Sequence, residues 1–263
     1  MIARDLAVVV AVVAALASAC GSAPQHTSTT TPTSAPTTSA ATTTTEAQPD
    51  SGVANGQTYR VATASITGTS DDHRGRWNAR YGQLSGGDPA VADAFNQAST
   101  ASARDQLDHA RTDAAPDREW SFESTPTVTF RAAAVTQLIT GVYSAKQAAH
   151  PTNYVSTVVI DSRTAKPITL GDLFTDEQRG LNRLSEQTKT IFPQTYGGDH
   201  TPMPDEPGNQ PVAANFANWI PTSAGMELHF GDYQFGHGLP VITVPWRALS
   251  DVLAPNMLAL THD

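Results

Sequence analysis

The chain has one cysteine, Cys20, in 263 residues, so it cannot form an intrachain disulfide or a zinc site built on paired thiolates. Lysine is nearly missing, with three residues against thirteen arginines, and the 16 basic side chains face 25 acidic ones. At a formal charge of −9, with no dense Lys/Arg cluster, there is no basic stripe for phosphate contacts, which excludes a nucleic-acid partner. Signatures of catalysis are also lacking. No Gly-x-Ser-x-Gly elbow, Walker loop or dinucleotide glycine pattern occurs. None of the eight histidines stands in His-x-x-x-His or His-Glu-x-x-His, the spacing that puts two metal ligands on one helical face. The 22 acidic residues beyond Asp50 always allow some carboxylate pair to be drawn, but the sequence selects none. Glu227, between Met226 and Leu228, is assigned by alternation to a solvent face. Asp71-Asp72-His73 and Asp199-His200 read as solvated loops. The expectation is a protein that is not an enzyme, with no cofactor and no metal.

What is present first is an address. Arg4 precedes an apolar run of 11 residues, 6–16, which suits a signal-peptide core and falls short of the roughly 20 residues a spanning helix needs. Leu16-Ala17-Ser18-Ala19-Cys20 resembles a bacterial lipobox, although Leu16 lies one place further from the cysteine than is usual. Ala17-Ser18-Ala19 equally fits the Ala-x-Ala site of ordinary signal peptidase, which would leave a secreted chain. Lipidation at Cys20 is the preferred reading, because an exposed lone thiol outside the cell is an oxidation liability. Residues 1–19 are therefore expected to be a lipoprotein signal peptide and Cys20 a palmitate-bearing membrane anchor, stable because more than one acyl chain is attached.

Residues 25–48 hold 11 Thr and 3 Ser among 24, with no aliphatic side chain larger than Ala. Such a segment cannot bury enough apolar surface to offset its ordering entropy, so residues 20–52 read as a disordered tether, either plain linker or O-glycosylated stalk.

Beyond it, residues 58–69 read as a strand, and the polar Gly-rich stretch to Gly87 as a loop. Asp88-Pro89 signals a helix start through about Thr112, with Val91, Phe95, Ala98 and Ala101 at helical spacing. A boundary near residue 119 separates this segment, 53–119, from the remainder, 120–263. Trp120, Phe122, Val128 and Phe130 read as one strand or a broken pair, followed by strands over 134–144 and 153–161 joined by the polar loop 146–151. A helix is expected over 176–191, after which five prolines between Pro193 and Pro211 exclude regular structure. Met226, Leu228 and Phe230 alternate with Glu227 and His229 in a one-sided strand, and Pro240 opens another before a helix beginning at Pro245. Strands in runs with helices at their ends predict an α+β fold with a largely antiparallel sheet and helices at one side, preceded by the disordered N-terminal tether.

Three stretches carry a family resemblance: the turn at Ala149-His150-Pro151, IDSRTAKPITLGDLF at 160–174, and FGDYQFGHGLPVITVPWRALSDVL at 230–253. Across residues 120–255 the chain resembles the extracytoplasmic domain of RsiV-like anti-sigma factors, domain of unknown function 3298, in a secreted or lipoprotein form. Residues 58–115 resemble the companion segment of secreted actinobacterial relatives. The resemblance implies little about function. Some relatives bind lysozyme, and others accompany wall-polysaccharide deacetylases, a domain with no counterpart here.

The candidate ligand surface is drawn from loop-borne rings: Tyr143, His150 and Tyr154 around one hairpin, and Tyr233, Phe235 and His237 around the other. Tyrosine offers large contact area at low entropic cost. The expected function is a membrane-anchored, non-catalytic module of the cell envelope that binds a wall glycan or a protein. The alternatives are an envelope hydrolase acting on glycan or lipid, and a decoy or sensor for lysozyme, whose basic surface would suit a folded part carrying 15 basic and 22 acidic residues.

Overall fold

The computed structural model of the chain describes residues 50–115, 117–197 and 206–262; the expected leader, Cys20, nearly all of the expected tether and Asp199-His200 lie outside them. Strand β1 (Ser51–Ala54) opens inside the stretch read as tether and turns through Asn55 and Gly56, at φ 48° and 71°, into β2 (Gln57–Thr69). Asn-Gly is the pair a two-residue hairpin turn favours, because both positions need positive φ.

The Gly-rich stretch read as a loop is instead a full strand, β3 (Gly75–Gly86), paired antiparallel with β2 from Thr69↔Arg76 to Tyr59↔Gly86. Its glycines sit where neighbours crowd the backbone: a Cβ on Gly75 would stand 2.3 Å from the Trp120 ring. The glycine content that suggested a loop reflects packing.

Helix α1 (Pro89–Thr112) begins where expected, with the Asp88 carboxylate accepting from the Ala90 N–H at 2.9 Å. Val91 and Phe95 are buried, but the stripe then runs through Ser99, Ala103, Gln106, Leu107 and Ala110, leaving Ala101 exposed. Two of those positions are polar because they bond to the sheet: Ser99 Oγ donates to the Gly82 carbonyl at 2.7 Å, and Gln106 Nε2 to the Ile139 carbonyl at 3.0 Å.

Helix α1 is a crossover. It joins β3 to β4 (Trp120–Arg131), and the two strands pair parallel from Gly75↔Trp120 to Asn78↔Glu123. The expected boundary near residue 119 thus falls inside one sheet. The meander continues antiparallel through β5 (Ala134–Ala145), β6 (Thr152–Asp161) and the short β7 (Lys166–Pro167), giving seven strands in sequence order.

Along β5 and β6 both faces are apolar. Val135 and Ile160 pack with Phe95 and Val91 of α1, whereas Ala134 and Val159 belong to a second core. That core contains α2 (Leu170–Leu173), α3 (Glu177–Tyr196), α4 (Trp246–Leu249) and a three-stranded antiparallel sheet of β8 (Trp219–Pro221), β9 (Gly225–His229) and β10 (Val241–Pro245). The whole is a mixed α+β unit with a mostly antiparallel main sheet. Among the described residues no helix is long and apolar enough to cross a membrane.

Two local expectations are corrected in this layer. α3 does not stop before Pro193 but runs on to Tyr196, because Phe192, 1% exposed, packs on Phe230 and Phe235 with ring centroids 6.1 and 4.8 Å away, and the Tyr196 hydroxyl is fixed to Val241. The last turn is held by tertiary contacts despite the lost N–H. His229 is not on a wet face: it is 8% exposed, with Nε2 2.8 Å from Glu227 Oε1.

Candidate functional site

Two loops meet through their side chains. The β5–β6 connection, 146–151, carries His150, and the β9–β10 connection, 230–240, carries Tyr233, Phe235 and His237. Strand pairing fixes each loop's stem; Asp232 ties the second loop to the start of β6, just after the first. Its side chain is only 4% exposed. Oδ1 accepts from the Gly238 N–H at 2.7 Å and lies 3.0 Å from His237 Nδ1, while Oδ2 accepts from the Asn153 N–H at 2.8 Å and from Asn153 Nδ2 at 3.1 Å. Burial pushes the Asp232 pKa up, but the Gly238 and Asn153 donors and the neighbouring His237 outweigh it, so the carboxyl stays below the usual carboxylate range.

The 231–238 loop is also closed on itself. The Tyr233 N–H donates to the Gly236 carbonyl at 2.9 Å, and the Gly231 N–H to Gln234 Oε1 at 3.1 Å. Gln234 Nε2 reaches away to the Gly208 and Asn215 carbonyls at 2.8 and 2.9 Å. These bonds hold Tyr233 at φ 64°, a conformation in which an aromatic residue is a steric outlier, with 55% of its surface exposed. Such backbone strain persists only where the surroundings over-determine it.

The rings form one cluster. Tyr233 Oη lies 2.8 Å from His150 Nε2, the His150 and His237 ring centroids are 4.6 Å apart, and Tyr233 and His237 are 5.4 Å apart. Beside them Phe235 turns inward onto Phe192 and Phe230 and walls a recess of about 300 Å³ lined by Tyr196, His237, Leu239 and Pro240. Tyr196 closes its edge, its hydroxyl accepting from the Val241 N–H at 2.7 Å and donating to the Val241 carbonyl at 2.9 Å.

Of the six residues expected at a ligand surface, the structure brings His150, Tyr233 and His237 together and sets Phe235 behind them. Tyr143 is a correction: it is 7% exposed and packs on Trp120, with centroids 5.8 Å apart, so it belongs to the core under α1. Tyr154 is likewise committed to packing. Its ring meets Phe122 edge-on at 5.8 Å and its hydroxyl donates to Asp113 Oδ2 at 2.7 Å, tying β6 to the end of α1. Burial, followed by that carboxylate, raises its pKa. Asp232, Asn153 and Gln234 were missed. The available signal was an aspartate between Gly231 and Tyr233, a residue type that anchors turns through its side chain.

The fold, a seven-stranded sheet with one helical crossover and a second layer, is similar to that of solved proteins of domain of unknown function 3298. The chain is similar to the crystal structure of a DUF3298 family protein from Pseudomonas aeruginosa PAO1, with a TM-score of 0.50 and 15% identity over 76% of this chain and 95% of that one. It is also similar to a member of the same family from Bacteroides fragilis NCTC 9343, with a TM-score of 0.53 and 11% identity over 78% and 96%. No protein-family model and no curated protein matches the sequence.

Proposed function

We propose that the chain is an extracytoplasmic lipoprotein whose folded unit is a non-catalytic binding module, with Tyr233, His150 and His237 as the surface that meets a cell-wall glycan or a protein ligand. The observation that carries the reading is Tyr233, a strained and 55% exposed ring on a loop clamped by a buried carboxylate. A rigid ring with two imidazoles beside it stacks on the apolar face of a sugar at little entropic cost. The adjoining recess has no carboxylate in its lining, and Asp232 is fully engaged in holding its loop to β6, which favours recognition over hydrolysis. Placement at the outer face of the membrane rests on the signal-like residues before Cys20.

A protein ligand of basic character, such as a lysozyme, is the second reading, favoured by the net charge of −7 beyond residue 52. Calorimetric titration with soluble wall fragments, and separately with lysozyme, distinguishes the two. One of them is expected to bind saturably with no product released, and Tyr233→Ala to weaken it by about 30-fold, the effect of losing a central aromatic contact. Turnover of the fragments, or binding indifferent to Tyr233→Ala, would overturn the reading. For the anchor, Cys20→Ala should move the protein from the membrane fraction to the medium; wild-type protein found wholly in the medium would remove it.

A further inference from the structure

We propose that His150 and His237 form a binding site for a transition-metal cation of the Zn²⁺ or Cu²⁺ class, bridging the two loops. The two imidazoles share one plan. His237 Nδ1 lies 3.0 Å from the buried Asp232 Oδ1, and His150 Nδ1 lies 3.2 Å from the Pro151 carbonyl. Because both partners are acceptors, each Nδ1 carries the proton and donates it; the Nε2 of His150 then accepts from the Tyr233 hydroxyl, 2.8 Å away, a hydrogen bond that a cation would replace. An imidazole with one nitrogen bonded to a carboxylate or carbonyl and the other presented outward is the arrangement found at metal-ligating histidines.

Spacing supports a shared cation. A metal–nitrogen bond of about 2.0–2.1 Å puts each ring centroid about 3.2 Å from the metal, so two ligands at roughly 90–110° have centroids about 4.5–5.2 Å apart. The observed separation is 4.6 Å. The Tyr233 hydroxyl, which donates to His150 Nε2 from 2.8 Å, has to turn its proton away as the cation enters and then leaves its oxygen beside it.

Asp232 cannot be a direct ligand, since both its oxygens are taken and its side chain is 4% exposed; its part is to orient His237. Among the described residues no group of three or more His, Cys, Asp or Glu side chains is arranged around a metal, so the protein provides two nitrogens and the remaining positions go to Tyr233 and water. Imidazole donors select Zn²⁺, Cu²⁺ or Ni²⁺ over Ca²⁺ and Mg²⁺.

The test uses the purified full chain and metal alone. Zn²⁺ is titrated by calorimetry and Cu²⁺ by visible absorption, each against the wild type, His150→Gln, His237→Gln and the double variant. One cation per chain is expected, with each single variant weakening it at least about tenfold, the double variant abolishing it, and Asp232→Asn weakening it by about 10- to 100-fold. Circular dichroism checks the fold of each variant. Imidazole ¹⁵N spectra of the wild type provide a readout that needs no substitution, because two Nε2 resonances should move on adding Zn²⁺ while the Nδ1 pair stays protonated. Absence of saturable binding, binding undiminished in the double variant, or Zn²⁺ shifts at other histidines would overturn the proposal. The site does not depend on the ligand reading, since wall fragments and lysozyme can be titrated with all metal chelated.

Discussion

Asp232 is an anion kept inside protein by donors from its own loop and from the start of strand β6, and its consequences can be measured. Its folded pKa lies below the ordinary carboxylate value of about 3.9, so the stability it contributes is present above that value and is lost as pH falls through the lower folded one. Urea unfolding followed from pH 7 into acid should therefore show the wild type losing stability below about pH 4, with a smaller loss in Asp232→Asn. At pH 7 the same substitution should cost about 1–3 kcal/mol, because an amide replaces one acceptor oxygen with a donor group and leaves donors inside without a partner. His150, Tyr233 and His237 were legible as candidates because rings and imidazoles in connections between strands have few structural duties. Tyr143 was misread for a related reason: next to a turn, alternation does not say which face a ring takes, and here it lies on Trp120. Asp232 escaped notice because an aspartate between glycine and tyrosine looks like an ordinary solvated turn until Asn153, 79 residues away, is brought to it.

Among the elements, α1 was read well at its start and less well along its length. Asp88 before Pro89 is a local signal, and Asp88→Ala should cost about 1 kcal/mol in thermal or urea unfolding, with no effect on ligand or metal binding some distance away. The drift of its buried stripe toward Ser99 and Gln106 is not local, since those side chains are inside only because Gly82 and Ile139 offer carbonyls. β3 was missed because its glycines answer to Trp120, Val128 and Gln137, none of which is near in sequence. The passage of α3 beyond Pro193 has the same origin. Propensity gives up at a proline, and the packing of Phe192 and the anchorage of Tyr196 on Val241 carry the helix one more turn.

For the whole molecule, the parallel pair of β3 and β4 decides how the chain can be divided. A fragment beginning at Trp120 would lose α1 from one face of β5 and β6 and open β4 as an unpaired edge, exposing Phe122, Val128, Val135 and Ile160. Residues 120–263 expressed alone are expected to show no cooperative unfolding transition, whereas residues 46–263 should unfold in one step. Phe122→Ala, at a ring fully removed from solvent between α1 and the sheet, should cost about 3–5 kcal/mol in the longer chain.

The sequence by itself determined the α+β class, most strands of the meander, the start of α1 and which loops carried spare aromatic and imidazole side chains. Those features follow from alternation, capping and turn chemistry, which act over a few residues. The tertiary structure alone decided that β3 is a strand, that the two segments share one sheet, and that His150 and His237 lie 4.6 Å apart with Asp232 beneath them. Those outcomes rest on contacts between residues tens of positions apart, for which a single chain read in order has no physical signal.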